Sequence, residues 1–180
     1  MSIRKIRLFG DPVLKTPASP VTDFDRSLRR LVSDLTDTMI DEEGAGLAAP
    51  QIGVGLRVFT FVYRDDEDGP TIGHLVNPRL VELSADDLED DVEGCLSFPG
   101  RGYTLARPRR AVAEGFDVHG TPVRVVGDGR LARALQHETD HLDGILFIDR
   151  LEGDQRRQAM ADLREMLMAG DDVTVKVSPH

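Results

Sequence analysis

Apolar residues recur at three- and four-residue spacing in three stretches of the chain, and each stretch predicts an amphipathic helix. The first covers residues 23–41, with Asp23 or Asp25 available to cap its start. The second covers residues 130–142, and the third covers about 154–168 with Gly170 as its stop. The helical pattern therefore occupies both ends of the chain.

β-branched and aromatic residues concentrate in the middle of the chain and predict strands. The longest such run covers residues 58–63, and shorter runs at 75–76 and 80–81 lie on either side of Pro78. Residues 111–118 and 121–126 flank His119 and Gly120, a two-residue connection that predicts a hairpin. Strands in the middle with helices around them predict an α+β fold.

Two acidic stretches interrupt this pattern without dividing the chain into domains. Residues 65–70 end in Gly69-Pro70 and predict a turn. Residues 82–93 carry seven carboxylates, which we interpret as a solvated face. We expect a single catalytic domain over residues 1–170, followed by a loose polar tail at 171–180.

Composition and charge exclude several classes of protein. The 180 residues include 22 Lys and Arg against 32 Asp and Glu, a formal charge of −10 that argues against direct nucleic-acid binding. A small basic patch at Arg107, Arg109 and Arg110 is the one local exception that we expect. No apolar run has the length of a membrane span, and the start has no signal-peptide pattern, so we expect a cytoplasmic protein. The single cysteine, Cys95, excludes an internal disulfide framework.

The segment His137-Glu138-Thr139-Asp140-His141 contains the pattern H-E-x-x-H inside the second predicted helix. Residues four apart lie on one face of a helix, so both imidazoles can reach one metal ion. Glu138 follows the first histidine and can act as general base on a water at the metal. The pattern predicts a metal-dependent hydrolase.

The third metal ligand decides the class of hydrolase. Gly144 fits the metzincin continuation, but Phe147 stands where that class needs a histidine. Glu165 is the candidate for a thermolysin-like peptidase, and Cys95 is the remaining candidate.

Three segments together resemble the motifs of peptide deformylases. Residues 44–53 (GAGLAAPQIG) resemble the first motif, 93–97 (EGCLS) the second and 136–144 (QHETDHLDG) the third. Residues 9–14 (FGDPVL) also resemble the start of a deformylase. This resemblance implies antiparallel β-sheets packed around a central metal-binding helix, with an N-terminal and a C-terminal helix.

The resemblance also implies a reaction and the residues that perform it. Cys95, His137 and His141 would bind one divalent metal, for which Fe(II) is the expected ion in the cell and zinc, nickel or cobalt are possible substitutes. Glu138 would activate water for attack on the formyl carbon of an N-formylmethionyl peptide, releasing formate. The Gln51 amide and the backbone N–H of Leu96 would stabilise the negative charge that develops on the formyl oxygen.

The same resemblance places substrate along the glycine-containing motifs. A formyl-peptide can add to an exposed strand edge, and the implied contacts are Ala45, Gly46, Leu47, Glu93 and Gly94. Arg133 and Arg130 precede the metal helix's first histidine on the same face, where the family has aliphatic residues. We interpret their stems as pocket wall with the guanidinium groups in solvent. The alternative is a more polar pocket with a weaker preference for methionine.

Another departure follows the second motif, where some deformylases have a substrate-gripping arginine. Position 102 is glycine, and the adjacent Arg101 is the candidate for that role. We expect a monomer that acts on nascent chains, with ribosome proximity as a further expectation. The alternatives are a peptidase with Glu165 as third ligand, a deformylase relative of altered specificity, and a catalytically silent relative that binds peptides or ribosomal surfaces.

Overall fold

The computed structural model describes residues 2–65 and 69–169. Within them lie three α-helices and seven β-strands: α1 Arg26–Asp41, α2 Gly129–Leu142, α3 Gly153–Met168, β1 Gly46–Ala48, β2 Val58–Asp65, β3 Gly69–Leu83, β4 Leu88–Cys95, β5 Phe98–Pro108, β6 Arg110–Phe116 and β7 Pro122–Asp128. All the strand pairs are antiparallel, in a five-stranded sheet of order β1-β2-β3-β6-β7 and a two-stranded sheet of β4 and β5. Helix α2 contacts both sheets. The predicted α+β fold is therefore confirmed.

All three predicted helices form at close to the predicted positions. Asp25, one of the two candidates, caps α1 by accepting hydrogen bonds from the backbone N–H groups of Ser27 and Leu28. The apolar face of α1, which includes Leu35 and Met39, packs against β1 and β2. The predicted stop at Gly170 lies outside the described residues, as do residues 66–68 of the predicted acidic turn and the predicted tail at 171–180.

Two strand predictions need correction. The short runs at 75–76 and 80–81 belong to one strand, β3. Its pairing with β6 shifts register across Pro78, between Val76 and Arg79, and again between Leu80 and Glu82, and Asn77 has a φ of 50°. The connection between β6 and β7 is longer than two residues, because pairing ends at Phe116 and Pro122. Asp117 closes that turn by accepting from the backbone N–H groups of His119 and Thr121.

The acidic stretch at 82–93 forms most of β4, which the sequence did not predict as a strand. The carboxylates from Asp86 to Asp91 are exposed, which confirms the solvated face for this part. Glu93 differs from them, because its side chain is buried with 4% exposure. A buried carboxylate needs partners of opposite charge, so positively charged side chains must meet Glu93 in the interior between β4 and α2.

Aromatic side chains fill the space between β5, the N-terminal segment and the turn after α2. Phe9 stacks on Phe98 with ring centroids 5.1 Å apart, and Phe147 lies 6.0 Å from the ring of His137. This aromatic cluster therefore packs against α2 at His137. Among the residues described, no helix combines the length and the apolar character needed to cross a membrane.

Candidate active site

The two histidines of the H-E-x-x-H pattern lie one turn apart on α2 and face the end of β4. Their ring centroids are 4.8 Å apart, and both side chains are buried. Cys95 is the last residue of β4, and its Sγ lies 3.2 Å from Nε2 of His141. One ligand atom from each of Cys95, His137 and His141 falls within 4.8 Å of the others. The structure therefore brings together the three residues predicted as metal ligands.

The chemistry of this donor set fits a divalent transition metal. Sulfur and imidazole nitrogen ligate zinc and iron at about 2.0–2.3 Å from the ion. Two donors on one ion therefore lie at most about twice that distance apart, which agrees with the separations of 4.8 Å or less among these three atoms. Three protein donors leave a coordination position free for water or substrate. Burial, followed by the charge of His137, lowers the pKa of His141, which favours the neutral imidazole that binds a metal.

Glu93 fixes the orientation of His137. Oε1 of Glu93 lies 2.7 Å from Nδ1 of His137, which leaves Nε2 of the ring to face the metal site. Burial disfavours ionisation of Glu93, but hydrogen bonds from His137 and Arg107 outweigh it and lower the pKa of this carboxyl far below its usual range. Glu93 is therefore a carboxylate at neutral pH.

Two guanidinium groups surround this carboxylate. Arg107 donates through Nε and Nη2 to both Glu93 oxygens over 2.9 and 2.6 Å, and its Nη1 donates to Asp140. Arg133 donates to Glu93 Oε2 over 2.9 Å and to the carbonyls of Leu105 and Glu89. The Arg133 guanidinium is therefore inside the protein, and its predicted position in solvent is wrong. Arg107 is 4% exposed, so the predicted basic surface patch does not include it.

Glu138 is buried beside the three candidate metal ligands. Its Oε2 has no hydrogen-bond partner among the described residues. A Cβ atom at Gly46 would lie 2.8 Å from Cγ and Cδ of Glu138, so β1 approaches this side chain as only a glycine allows. Burial, and to a lesser extent the charges of Glu93 and Asp140, raise the pKa of Glu138 to about 7. A carboxyl group with this pKa can both accept and return a proton near neutral pH.

Gln51 lies on the other side of the cysteine, with only 1% of its surface exposed. Its Oε1 accepts from the backbone N–H of Ala48, and its Nε2 lies 3.5 Å from Cys95 Sγ. The residue after the cysteine, Leu96, packs against the segment that enters β1, because a Cβ at Gly44 would lie 2.9 Å from Leu96 Cδ1. Both residues predicted to donate hydrogen bonds to the oxyanion, Gln51 and Leu96, therefore lie next to the candidate ligand Cys95.

Two strand edges border the three candidate metal ligands. β1, which contains Gly46 and Leu47, is an edge strand of the five-stranded sheet, and β4, which contains Gly94, pairs with β5 alone. Ala45 and Gly94 are exposed at these edges, whereas Leu47 is buried. Unpaired N–H and C=O groups along such edges can pair with an extended peptide.

Three predicted candidates lie elsewhere. Glu165 is exposed on α3 and pairs with Arg101, so the peptidase interpretation with Glu165 as third ligand is wrong. Arg101 also lies 3.6 Å from Asp162, and both of its partners belong to α3. Arg130 is exposed, as predicted.

The sequence interpretation missed the buried ion pairs that Arg107 forms with Glu93 and Asp140 next to the site. Arg107 carries no local signal, because its partners Glu93 and Asp140 are 14 and 33 residues away. Asp140 lies within the H-E-x-x-H segment and offered a signal, since a carboxylate on the inner face of a helix must be paired. Arg150 supplies its second partner.

A thiol and two imidazoles with ligand atoms within 4.8 Å of one another, beside a buried carboxyl group whose Oε2 has no hydrogen-bond partner among the described residues, define the site of a metal-dependent hydrolase. Comparison with known proteins specifies the family. Residues 3–157 match the family model described as polypeptide deformylase. A peptide deformylase from Acidothermus cellulolyticus is 59% identical over 180 residues, which cover 100% of this chain and 96% of that protein. One from Parafrankia sp. is 58% identical over 181 residues, covering 100% of this chain and 96% of that protein.

Solved structures agree with the sequence relatives. The crystal structure of a peptide deformylase from Legionella pneumophila aligns with a TM-score of 0.82 at 40% identity, covering 94% of this chain and 99% of that one. The chain belongs to the polypeptide deformylase family. It is a metal-dependent hydrolase that removes the formyl group from the N-terminal formylmethionine of newly synthesised polypeptides.

Proposed function

We propose that deformylation by this chain uses Cys95, His137 and His141 as metal ligands and Glu138 as general base. The observation that carries this proposal is the convergence of three donor atoms within 4.8 Å of one another next to Glu138. The Oε2 atom of Glu138 has no partner among the described residues. Residues 1–170 act as one catalytic unit in this proposal.

Fe(II) is the ion that we propose for the cell, with zinc, nickel or cobalt as substitutes. The sulfur and imidazole donors suit all four ions. When bound, a divalent ion supplies Lewis-acid polarisation of the formyl carbonyl and lowers the pKa of water.

Each proton transfer is assigned to Glu138. Its carboxylate takes a proton from the attacking water, and the water oxygen adds to the formyl carbon. As the carbon–nitrogen bond breaks, Glu138 passes the proton to the leaving amine. A pKa of about 7 suits both steps.

Gln51 and Leu96 stabilise the charge on the formyl oxygen. The Nε2 group of Gln51 and the backbone N–H of Leu96 each donate one hydrogen bond to this oxygen as it becomes negative. Gln51 is already held in place by Ala48, so little reorganisation is needed during the reaction.

The substrate backbone pairs with the edges of β1 and β4 in this proposal. Ala45, Gly46 and Leu47 line one side, and Glu93 and Gly94 line the other. The stem of Arg133 forms part of the methionine pocket, while its guanidinium stays with Glu93. Nascent formylmethionyl chains are the substrates, and we propose that the protein is a cytoplasmic monomer that meets them near the ribosome.

Formate release from a formyl-Met-Ala peptide tests the reaction and its base together. Protein purified without oxygen and loaded with Fe(II) or Ni(II) should release formate rapidly, whereas the Glu138→Ala variant should not. Equal release by both proteins would overturn the role of Glu138. An absence of release from fully loaded wild-type protein would overturn formyl-Met as its substrate.

Metal analysis of a Cys95→Ser variant tests the third ligand. A hydroxyl is a much weaker ligand than a thiolate for these ions, so we expect lost or strongly weakened binding. Retention of one equivalent of metal at wild-type affinity would contradict the ligand assignment. Glu165→Gln is the matched control, because this carboxylate lies on Arg101 and should leave metal content unchanged.

A further inference from the structure

The hydroxyl group of Ser97 is buried against Gln51, two residues after the cysteine. Ser97 has no exposed surface, and its Oγ lies 3.1 Å from Nε2 of Gln51. The metal site and the proton transfers make no use of this hydroxyl. Among the described residues, its hydrogen-bond partner is the Gln51 amide, whose Nε2 also lies 3.5 Å from the Cys95 sulfur.

The contacts of Gln51 determine which way its amide points. The backbone N–H of Ala48 donates to one end over 2.9 Å, so that end must be the carbonyl oxygen. The NH₂ group then lies at the opposite end, between Ser97 Oγ and Cys95 Sγ. Both of these atoms can accept a hydrogen bond, so the assignment is consistent at each contact.

An NH₂ group has two hydrogens, which point about 120° apart in the amide plane. If Ser97 Oγ accepts a hydrogen bond from one of these hydrogens, the other must point toward Cys95 and the candidate metal ligands. We propose that Ser97 is a positioning residue that holds the Gln51 amide so that one N–H aims at the developing oxyanion. This inference rests on the oxyanion role proposed for Gln51.

The surrounding backbone makes Ser97 a fixed point. Its carbonyl accepts from the N–H of Phe9 over 2.9 Å, and the carbonyl of Gln51 accepts from the N–H of Arg7 over 2.7 Å. Phe98, the next residue, stacks on Phe9. None of these contacts involves the serine hydroxyl, so a Ser97→Ala substitution removes the contact to Gln51 and leaves the backbone anchored.

A double-mutant cycle between Ser97→Ala and Gln51→Ala tests the proposal on the metal-loaded enzyme. We expect Ser97→Ala to lower kcat about tenfold with little change in KM, because a misdirected donor weakens transition-state binding. Gln51→Ala should lower kcat by about 10²–10³, as loss of an oxyanion donor does. The double variant should be no slower than Gln51→Ala alone.

A nuclear magnetic resonance measurement provides a readout independent of activity. The two side-chain N–H protons of Gln51 should have distinct, slowly exchanging signals in wild-type protein, since their surroundings differ. In Ser97→Ala their exchange with solvent should accelerate. Thr38→Ala is the matched control, because Thr38 also has a fully buried hydroxyl but lies on α1 and contacts Asp34 and Arg4.

The outcomes separate this inference from the proposed function. If Gln51→Ala lowers kcat but Ser97→Ala lowers it equally in both backgrounds, the positioning role is overturned and the oxyanion role stands. Wild-type kcat in Ser97→Ala likewise overturns the positioning role. Wild-type kcat in Gln51→Ala overturns the oxyanion role and the inference with it. Unchanged Gln51 side-chain exchange in Ser97→Ala also overturns the inference.

Discussion

Nδ1 of His137 and Oε1 of Glu93 lie 2.7 Å apart in the protein interior, where Arg107 and Arg133 bind the same carboxylate. The carboxylate accepts a hydrogen bond from the Nδ1–H group and so fixes the tautomer that leaves Nε2 free for the metal. Because both arginines hold Glu93 in place, the carboxylate cannot follow the imidazole, and rotation of the ring would break its buried hydrogen bond. The orientation of one metal ligand thus depends on β4, β5 and α2 together.

Replacement of this carboxylate should weaken metal binding. We expect Glu93→Gln to lower metal affinity about 10- to 100-fold, because the imidazole loses a charged acceptor that orients it. Competition with a chelator of known affinity measures this change. Asp90→Asn on the exposed face of β4 is the control and should bind metal as the wild type does. Equal affinity of Glu93→Gln and wild type would contradict the orienting role.

Arg133 connects the metal helix to both strands of the smaller sheet. We expect Arg133→Leu to lower the free energy of unfolding by about 3 kcal/mol, because a buried ion pair and two carbonyl contacts are lost together. Denaturant unfolding of both proteins measures this difference. Arg130→Leu, at an exposed position of the same helix, should stay close to wild type. A stable Arg133→Leu protein would show that the pair contributes nothing net.

Local sequence patterns predicted the parts of this molecule whose partners are close in the chain. The helix of His137 and His141 follows from their spacing and from the apolar residues around them, and the cap at Asp25 lies directly before its helix. The motifs that resemble the family added Cys95 and Gln51. Their meeting at one site depends on how β4 and the turn after β1 pack against α2.

The remaining features depend on contacts between distant segments. Acidic residues are rare in strands, so β4 gave no strand signal although pairing with β5 orders it along its length. Arg133 has the chemistry of a surface residue, and its burial is explained by Glu93 together with the carbonyls of Leu105 and Glu89. Composition alone could not reveal that pairing.

Close approach between β1 and the general base should make Gly46 intolerant of substitution. We expect Gly46→Ala to lower kcat/KM about 10²-fold, because its methyl group would displace the Glu138 carboxylate from its position. Steady-state formate release measures the loss. Gly55→Ala is the matched control, since a Cβ there meets no heavy atom within 4 Å. Wild-type activity in Gly46→Ala would show that Glu138 can move aside without cost.

Tyr103 should make the stability of the fold sensitive to alkaline pH. Its hydroxyl donates to Asp162 on α3 over 2.5 Å, and burial followed by this carboxylate raises the pKa of Tyr103 to about 12 from an ordinary value of 10.0. A group whose pKa is raised by folding binds its proton more tightly in the native state. Its contribution is therefore complete below pH 10 and disappears as the pH rises toward 12.

Denaturant unfolding at a series of pH values from 9 to about 12 tests this prediction. The free energy of unfolding of the wild type should fall more steeply across this interval than that of Tyr103→Phe, which has no proton to lose. The Phe variant keeps the aromatic packing on Phe98 and Phe147, so the difference between the two curves isolates the hydroxyl. Parallel curves would show that Tyr103 ionises equally easily in the folded and unfolded chain, and that its contact with Asp162 does not couple α3 to β5.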